Sequence, residues 1–337
     1  GVDYCIMCRT GRTEEMAQKA ASPVRLEVPT SALPEGLDFR PGFVGRRDSL
    51  EKIQVIFKGC QEGRYLSFVT LAGPPGVGKT RMAQEVSKRV QEEGDVKVLR
   101  GVCGGPGAPA YAAFIQILAE LAGVEKEDKP PEIRHKLVEM VREWVGESRV
   151  TEVSHLLAQM MGCPFPASPV VEPLPNSPAQ LEMRVFLAVK RLLSAVAQSS
   201  PVVLVLDNGE RASSETVNLL HYLAAVMRNA PVLLMAVGRP SMVDLHPQWG
   251  DGEFESARFD LGPLDTQEAQ ELLREILRGL DNLPEALVHT VGHGLDRQPR
   301  TIEELVRYLL EIKILKRDDG QWSLDEDLLS AIELPTT

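Results

Sequence analysis

The chain has 337 residues, room for about two domains of ordinary size with cores of their own, so a peptide or a disulfide-stapled miniprotein is excluded. Its 43% hydrophobic and 25% charged residues match an ordinary folded protein and leave no case for global disorder. With 48 acidic against 37 basic residues the formal net charge is −11, and no chain-wide positive field attracts nucleic acid or anionic lipid.

No uninterrupted apolar run reaches the ~18 residues of a membrane span, and the N-terminus lacks a charged-then-apolar signal pattern. The expected location is the cytoplasm, with no membrane partner. Five cysteines suit a reducing compartment, and Cys60, Cys103 and Cys163 are expected as small buried hydrophobes. Cys5 and Cys8 form a single CxxC, half of a four-coordinate zinc site, for which no stoichiometric zinc is expected.

Residues 1–41 carry Pro23, Pro29, Pro34 and Pro41 with little periodicity and read as an N-terminal extension or linker. The folded body is expected from 42 onward. Leu66 to Ala72 is a mostly apolar run of strand length; a glycine-rich turn follows, and then Met82, Ala83, Val86 and Val90 recur at helical spacing. Residues 96–102 read as a second strand and 111–121 as a helix with Phe114, Ile117, Leu118 and Leu121 on one face. Helices over 132–145 and 151–161 come next. Pro164, Pro166, Pro169, Pro173, Pro175 and Pro178 then rule out regular structure up to about 178 and predict a surface loop. A helix over 179–197 leads into a buried strand at 201–207, a helix over 214–228 into a strand at 232–237, and a weaker strand lies at 255–261. Strands alternating with helices predict an α/β fold over 42–262, a parallel sheet with helices on both faces.

Beyond Asp265 the periodicity is helical, over 266–277, 284–291 and 301–312. Strands at 314–316 and 321–324, joined through Asp318-Asp319-Gly320, predict a β-hairpin, so 263–313 reads as a helical segment and 314–337 as a winged-helix-like one. His289 and His293 stand four apart, but Thr290 occupies the place of a zinc protease's general base, and they read as plain helix-end histidines.

Gly73-Pro74-Pro75-Gly76-Val77-Gly78-Lys79-Thr80 fits GxxxxGK[ST] between a buried strand and a helix. Its glycines let backbone N–H groups close around phosphate oxygens, Lys79 reaches the β/γ-phosphates, and the Thr80 hydroxyl suits Mg²⁺. Asp207, at the end of an apolar strand, suits the second carboxylate of such a site. Asn208 follows it, an amide that orients water but cannot take its proton, and this predicts slow hydrolysis. Glu210 is either a substitute base or a solvated loop charge. Arg239 comes through Gly238 to the carboxyl edge of the sheet, as a γ-phosphate sensor or an ion-pair partner.

Together these motifs resemble the bacterial STAND-type ATPases of the AAA+ superfamily, nucleotide-switch modules of transcriptional regulators, serine/threonine kinases and adenylate cyclases. The resemblance covers about residues 42–325. Gly42-Phe43-Val44-Gly45-Arg46-Arg47 is similar to the family's FVGR box, which in relatives precedes the first helix and lies against the adenine. The run from Gly73 to Ala83 is similar to its phosphate loop and helix start. Gly101-Val102-Cys103, with the stretch from Ala108 to Phe114, resembles its post-strand segment. Leu204 to Asp207 matches the carboxylate strand, although relatives continue with a second acid and His-Trp-Ala-Asp where this chain has Asn208-Gly209-Glu210-Arg211-Ala212-Ser213. Val237-Gly238-Arg239 resembles the sensor segment. Gln298-Pro299 resembles the lid segment, whose Gly-Asn-Pro brings a proline against the base; the glycine and asparagine are replaced here.

What the resemblance implies is ATP or ADP with Mg²⁺, held by Phe43, Val44, Gly45, Arg46 and Pro299 on the base side and by Pro75, Gly76, Val77, Gly78, Lys79, Thr80 and Arg81 on the phosphate side. Thr80 and Asp207 would hold the metal, and Asp207, Asn208, Glu210 and Arg239 would serve catalysis. The implied function is a signal-transduction switch with slow or weak hydrolysis, coupling nucleotide state to the orientation of the helical lid at 263–313 and to protein partners or self-association. Alternatives are a non-hydrolysing nucleotide-bound scaffold and a DNA-binding regulator using the winged-helix-like segment. Against nucleic acid, Lys313, Lys316 and Arg317 are balanced by Asp318, Asp319 and Asp325.

Overall fold

A computed structural model of the protein describes residues 41–105, 107–171, 178–246, 249–250, 254–278, 280, 283–318 and 321–331. The extension with Cys5 and Cys8, residues 172–177 of the proline-rich stretch, and the two hairpin turn residues Asp319 and Gly320 lie outside these.

Strands β1 (Leu66–Ala72), β2 (Lys97–Val102), β3 (Val202–Asp207), β4 (Val232–Gly238) and β5 (Glu255–Asp260) form one parallel sheet in the order β2-β3-β4-β1-β5. β1 and β4 are buried along their whole length and are built mainly of Leu, Val, Met, Phe and Ala, the composition of strands covered on both faces. Helices supply the two covers. On one face Phe68, Leu204, Leu206, Leu234 and Ala236 share a core with residues of α3 (Ala112–Ala122), α4 (Pro130–Trp144), α5 (Val150–Met160), α6 (Pro178–Ser199) and α7 (Ser214–Val226). The alternate residues Val69, Leu71, Val203, Leu233 and Met235 are equally buried and point the other way. There α1 (Arg47–Gly63) and α2 (Lys79–Glu93) pack on β1 and β4, burying Leu50, Ile53 and Phe57 from α1 and Met82, Val86 and Val90 from α2. The polar residue Thr70 inside β1 is satisfied, its hydroxyl accepting from Trp249 Nε1 at 2.9 Å.

Departures from the expected boundaries have local causes. α4 starts at Pro130, two residues early, because prolines at the first helical positions sacrifice no helical hydrogen bond and Glu132 accepts from the Lys129 N–H at 2.7 Å. The segment 164–171 contains no helix or strand, yet it is more than a surface loop. Ser168 is buried, its hydroxyl lies 2.8 Å from His155 Nδ1, and Phe165 stacks on the His155 ring at 3.9 Å. Cys60, Cys103 and Cys163 are buried free thiols. A short helix, α8 (Ser241–Leu245), follows β4; five residues give too little periodicity to be read in advance.

The outer strand β2 is closed off by α3. Gln116 accepts from the Val102 N–H at 2.9 Å and donates to the Val102 carbonyl at 3.3 Å. Gly101 makes this approach possible, since a Cβ there would lie 2.2 Å from the Ala113 carbonyl oxygen. Gly101→Ala is therefore expected to cost about 1–3 kcal/mol by overpacking against backbone that cannot rotate away. Thermal unfolding followed by circular dichroism checks this, and an unchanged midpoint would show that α3 shifts freely.

Residues 41–45 and 263–331 make up a second unit, separate from Arg46–Gly262. α9 (Thr266–Ile276) opens on a capping box: Asp265 Oδ1 accepts from the Glu268 N–H at 2.7 Å and Glu268 Oε2 from the Asp265 N–H at 3.0 Å. α10 (Glu285–His289) passes into a π-helical turn at Thr290–Gly294, where the periodicity predicts continuous helix to 291. The His289 and His293 rings lie 4.9 Å apart there. α11 (Pro299–Glu311) begins with proline at its first position. The hairpin of β6 (Leu315–Asp318) and β7 (Gln321–Leu324) and a short α12 (Glu326–Ala331) complete the unit. Leu272, Leu273, Leu305 and Leu309 share one core with Ile314, Leu315 and Trp322. No helix among the described residues is long and apolar enough to cross a membrane.

Candidate functional site

The site is assembled at the carboxyl ends of three neighbouring strands. Because β4 lies between β1 and β3 in the sheet, the loop after β1 and the turn after β3 flank the end of β4. The loop 73–78 turns through Gly76 and Gly78 at φ 85° and 92°, values open to glycine, and enters α2 directly at Lys79 and Thr80. Lys79 Nζ donates to the Pro74 carbonyl at 2.9 Å. Burial holds this ammonium below the usual lysine range, while the charges of Glu210 and Asp207 pull the other way. Thr80 donates its hydroxyl to Asp207 Oδ2 at 2.8 Å, so the two side chains that the sequence assigns to a metal meet.

Asp207 Oδ1 accepts from the Asn208 N–H at 2.8 Å. Asn208 itself is in the left-handed region, at φ 56° and ψ 42°, a conformation that asparagine tolerates better than most residues. It starts a 3₁₀ turn, Gly209–Arg211, which carries Glu210 back toward the end of β4. Glu210 Oε2 accepts from the Arg239 backbone N–H at 3.0 Å, and Oε1 faces Arg239 Nε at 3.4 Å. The Glu210 side chain is 15% exposed against 53% for Arg239, so the carboxylate is the fixed partner while the guanidinium reaches outward. The sequence offers a base or a loop charge for Glu210; in the structure both of its oxygens are turned to Arg239. Cys103, on the neighbouring strand end, donates its N–H to the Asp207 carbonyl at 2.8 Å, and burial, reinforced by Asp207 and Glu210, pushes its thiol up to about 12.

Divalent metal binding fits the pair of oxygens present. On an octahedral ion with metal–oxygen distances of about 2.0–2.1 Å, adjacent ligands lie about 2.9 Å apart, close to the Thr80–Asp207 separation of 2.8 Å. A hydroxyl and one carboxylate leave the remaining positions to water and phosphate, as Mg²⁺ prefers. Among the described residues no group of three His, Cys, Asp or Glu side chains gathers as a metal cage.

The remaining residues assigned from sequence are placed as follows. Pro75 lies exposed on the loop, and Val77 is buried beneath it. Arg81 is in the first turn of α2. Arg46 begins the sheet unit and donates from Nη2 to the carbonyls of Val77 and Gly262. Phe43, Val44 and Gly45 belong to the second unit, where Val44 packs against the helical core, and Pro299 opens α11 in that unit. What sequence reading missed is the bracing of the loop by Arg46 and the stretch Leu261-Gly262. Gly262, two residues after the last strand of the sheet, was the available signal.

Comparison with known proteins bears on this geometry. The family described as "AAA ATPase domain" matches residues 42–235. An uncharacterized protein of Rhizobium meliloti (strain 1021) is 22% identical over 227 residues, covering 67% of this chain and 21% of that protein. The chain thus spans about a fifth of the length of this curated relative. Among solved structures, the Drosophila ORC bound to DNA is 13% identical, with 90% of this chain and 68% of that one covered and a TM-score of 0.48. The Aeropyrum pernix ORC1 protein in complex with DNA is 16% identical, with 87% and 66% covered and a TM-score of 0.45.

Proposed function

Because the chain belongs to the AAA ATPase domain family, we propose that it is an ATP/ADP-binding switch of the STAND type, with slow hydrolysis and a nucleotide-dependent output. The observation that carries this reading is the convergence of Lys79, Thr80, Asp207, Glu210 and Arg239 around the loop 73–78.

In this reading the N–H groups of the loop and the Lys79 ammonium bind the phosphate chain. Thr80 and Asp207 hold Mg²⁺, which when bound neutralises phosphate charge. Asn208 orients water without accepting its proton, so hydrolysis is slow and nucleotide state persists. Glu210 holds Arg239 at the strand end, where its guanidinium meets the γ-phosphate that ADP lacks. The second unit serves as the helical lid, and the output is self-association or control of an effector. Asn208 favours one further reading, a scaffold that binds nucleotide without turning it over. Exclusion of nucleic acid rests on charge balance alone and is no part of the proposal.

Titration calorimetry with Mg·ATP and Mg·ADP, together with mass spectrometry of nucleotide released on denaturation, tests the reading. Both nucleotides are expected to bind. Arg239→Ala is expected to weaken ATP about tenfold or more while leaving ADP near its original affinity, since a charge-assisted hydrogen bond is made to one nucleotide only. Equal losses for the two would remove the sensor role, and binding of neither by the unmodified protein would refute the site.

A further inference from the structure

Arg46 opens the sheet unit with its backbone in the left-handed region, at φ 58° and ψ 29°. A residue with a Cβ adopts this conformation at an energetic cost, and such strain persists where the surroundings hold it. Here the side chain supplies the hold. Nη2 donates to the Val77 carbonyl at 2.8 Å and to the Gly262 carbonyl at 2.7 Å, so both hydrogens of one guanidinium nitrogen are committed to main-chain oxygens.

The Val77 oxygen belongs to the Val77–Gly78 peptide. In a trans peptide the C=O and N–H point in opposite directions, so fixing this oxygen fixes the direction in which Gly78 offers its N–H. Gly78 stands at φ 92°, and glycine has no Cβ to restrict its rotation, so the orientation needs an outside restraint. A cationic donor on the oxygen also polarises the peptide and strengthens the N–H on its far side. The second anchor is itself held. The Leu261 N–H donates to the Ala72 carbonyl at 2.7 Å, and a Cβ on Gly73 would lie 2.5 Å from the Leu261 carbonyl oxygen. The main chain at 261–262 is thus pressed against the root of the loop and forms a firm abutment.

We infer that Arg46 is a positioning residue for phosphate recognition, setting the Val77–Gly78 peptide so that the Gly78 N–H is presented to a phosphate oxygen, with Gly262 as the fixed point against which it pulls. This deepens the nucleotide reading and rests on it, and it moves Arg46 from the base side to the phosphate side.

Inorganic tripolyphosphate with Mg²⁺ and adenosine serve as separate probes of the two ends of a nucleotide. Arg46→Met is expected to weaken tripolyphosphate about ten- to a hundredfold and to leave adenosine unchanged. Arg46→Lys, which keeps the charge but lacks the planar fork, should fall between, and it carries the test if the methionine variant does not fold. In ¹H–¹⁵N spectra of the ligand-free variants, the Gly78 amide resonance should move while that of Thr70 in β1 stays. Tripolyphosphate affinity unchanged with the Gly78 resonance in place overturns the inference, as does loss of adenosine with tripolyphosphate retained. If the unmodified protein binds neither ATP nor tripolyphosphate, the nucleotide reading itself fails, whatever the Arg46 variants do.

Discussion

Lys79→Ala is expected to raise the dissociation constant for Mg·ATP roughly thirty- to a thousandfold, the equivalent of about 2–4 kcal/mol for removing one partner of a half-buried, hydrogen-bonded charge pair. The structure explains the size of this effect. The ammonium sits in a partly desolvated position, where an unpaired phosphate charge is costly, and Asp207 and Glu210 close by already make the surroundings negative. Removing the cation would leave the phosphates facing the two carboxylates without the loop's own lysine to offset them. The variant should stay folded, because the side-chain hydrogen bond it gives up is a single one to the Pro74 carbonyl five residues back in the same loop. Calorimetry on a variant with an unaltered melting curve checks the prediction, and unchanged ATP affinity would sink the assignment of this loop.

Asn208→Asp is expected to accelerate hydrolysis. General-base catalysis contributes about 10²–10⁴-fold, and a residue that cannot take a proton leaves that range unused. The alternative base, Glu210, has both oxygens turned to Arg239, one at its N–H and one at its guanidinium. Aspartate suits the left-handed backbone at position 208 nearly as well as asparagine does, so the substitution changes chemistry with little strain. Nucleotide affinity should hold, since Lys79, Thr80 and Asp207 are untouched. Single-turnover hydrolysis of ATP measures the change, with Glu210→Gln in parallel. A Glu210→Gln variant that loses turnover by two orders of magnitude, beside a silent Asn208→Asp, would assign the base to Glu210 instead.

Much of this site was legible in the sequence because its parts are local. The glycine spacing, Lys79 and Thr80 fall within eight consecutive residues, and a buried strand and a helix bound them on either side. Asp207 was legible because a six-residue apolar strand ending in a carboxylate is uncommon without a use for it. The Glu210–Arg239 pair was only half legible. Both residues drew notice, but their meeting depends on β4 lying between β1 and β3, an order set by packing across the sheet and unmarked in either segment. The bracing of the loop by Arg46 was hardly legible, with a glycine at 262 as its one trace, for its acceptors are 31 and 216 positions away. Its motif pointed to the base, whereas the main chain it grips includes Val77 of the glycine-rich loop. The π-helical turn at Thr290–Gly294 escaped for a different reason: apolar spacing up to Val291 reports which face is buried and carries no mark of a change in the hydrogen-bond ladder.

The two flanks of the sheet are finished differently, and this bears on how copies of the protein can meet. An outer strand with open amides is a template on which a neighbouring chain can crystallise into a ribbon. β5 guards its flank electrically, with Glu255, Arg258 and Asp260 along six residues and an Arg258–Asp260 ion pair at 2.7 Å. At the end of β2 the carboxamide of Gln116 acts as a cork, occupying the Val102 N–H and carbonyl as a further strand would. Each flank thus carries one feature that works against sheet-to-sheet zippering. The self-association proposed for this unit would therefore join copies through side chains and loops and would not extend the sheet.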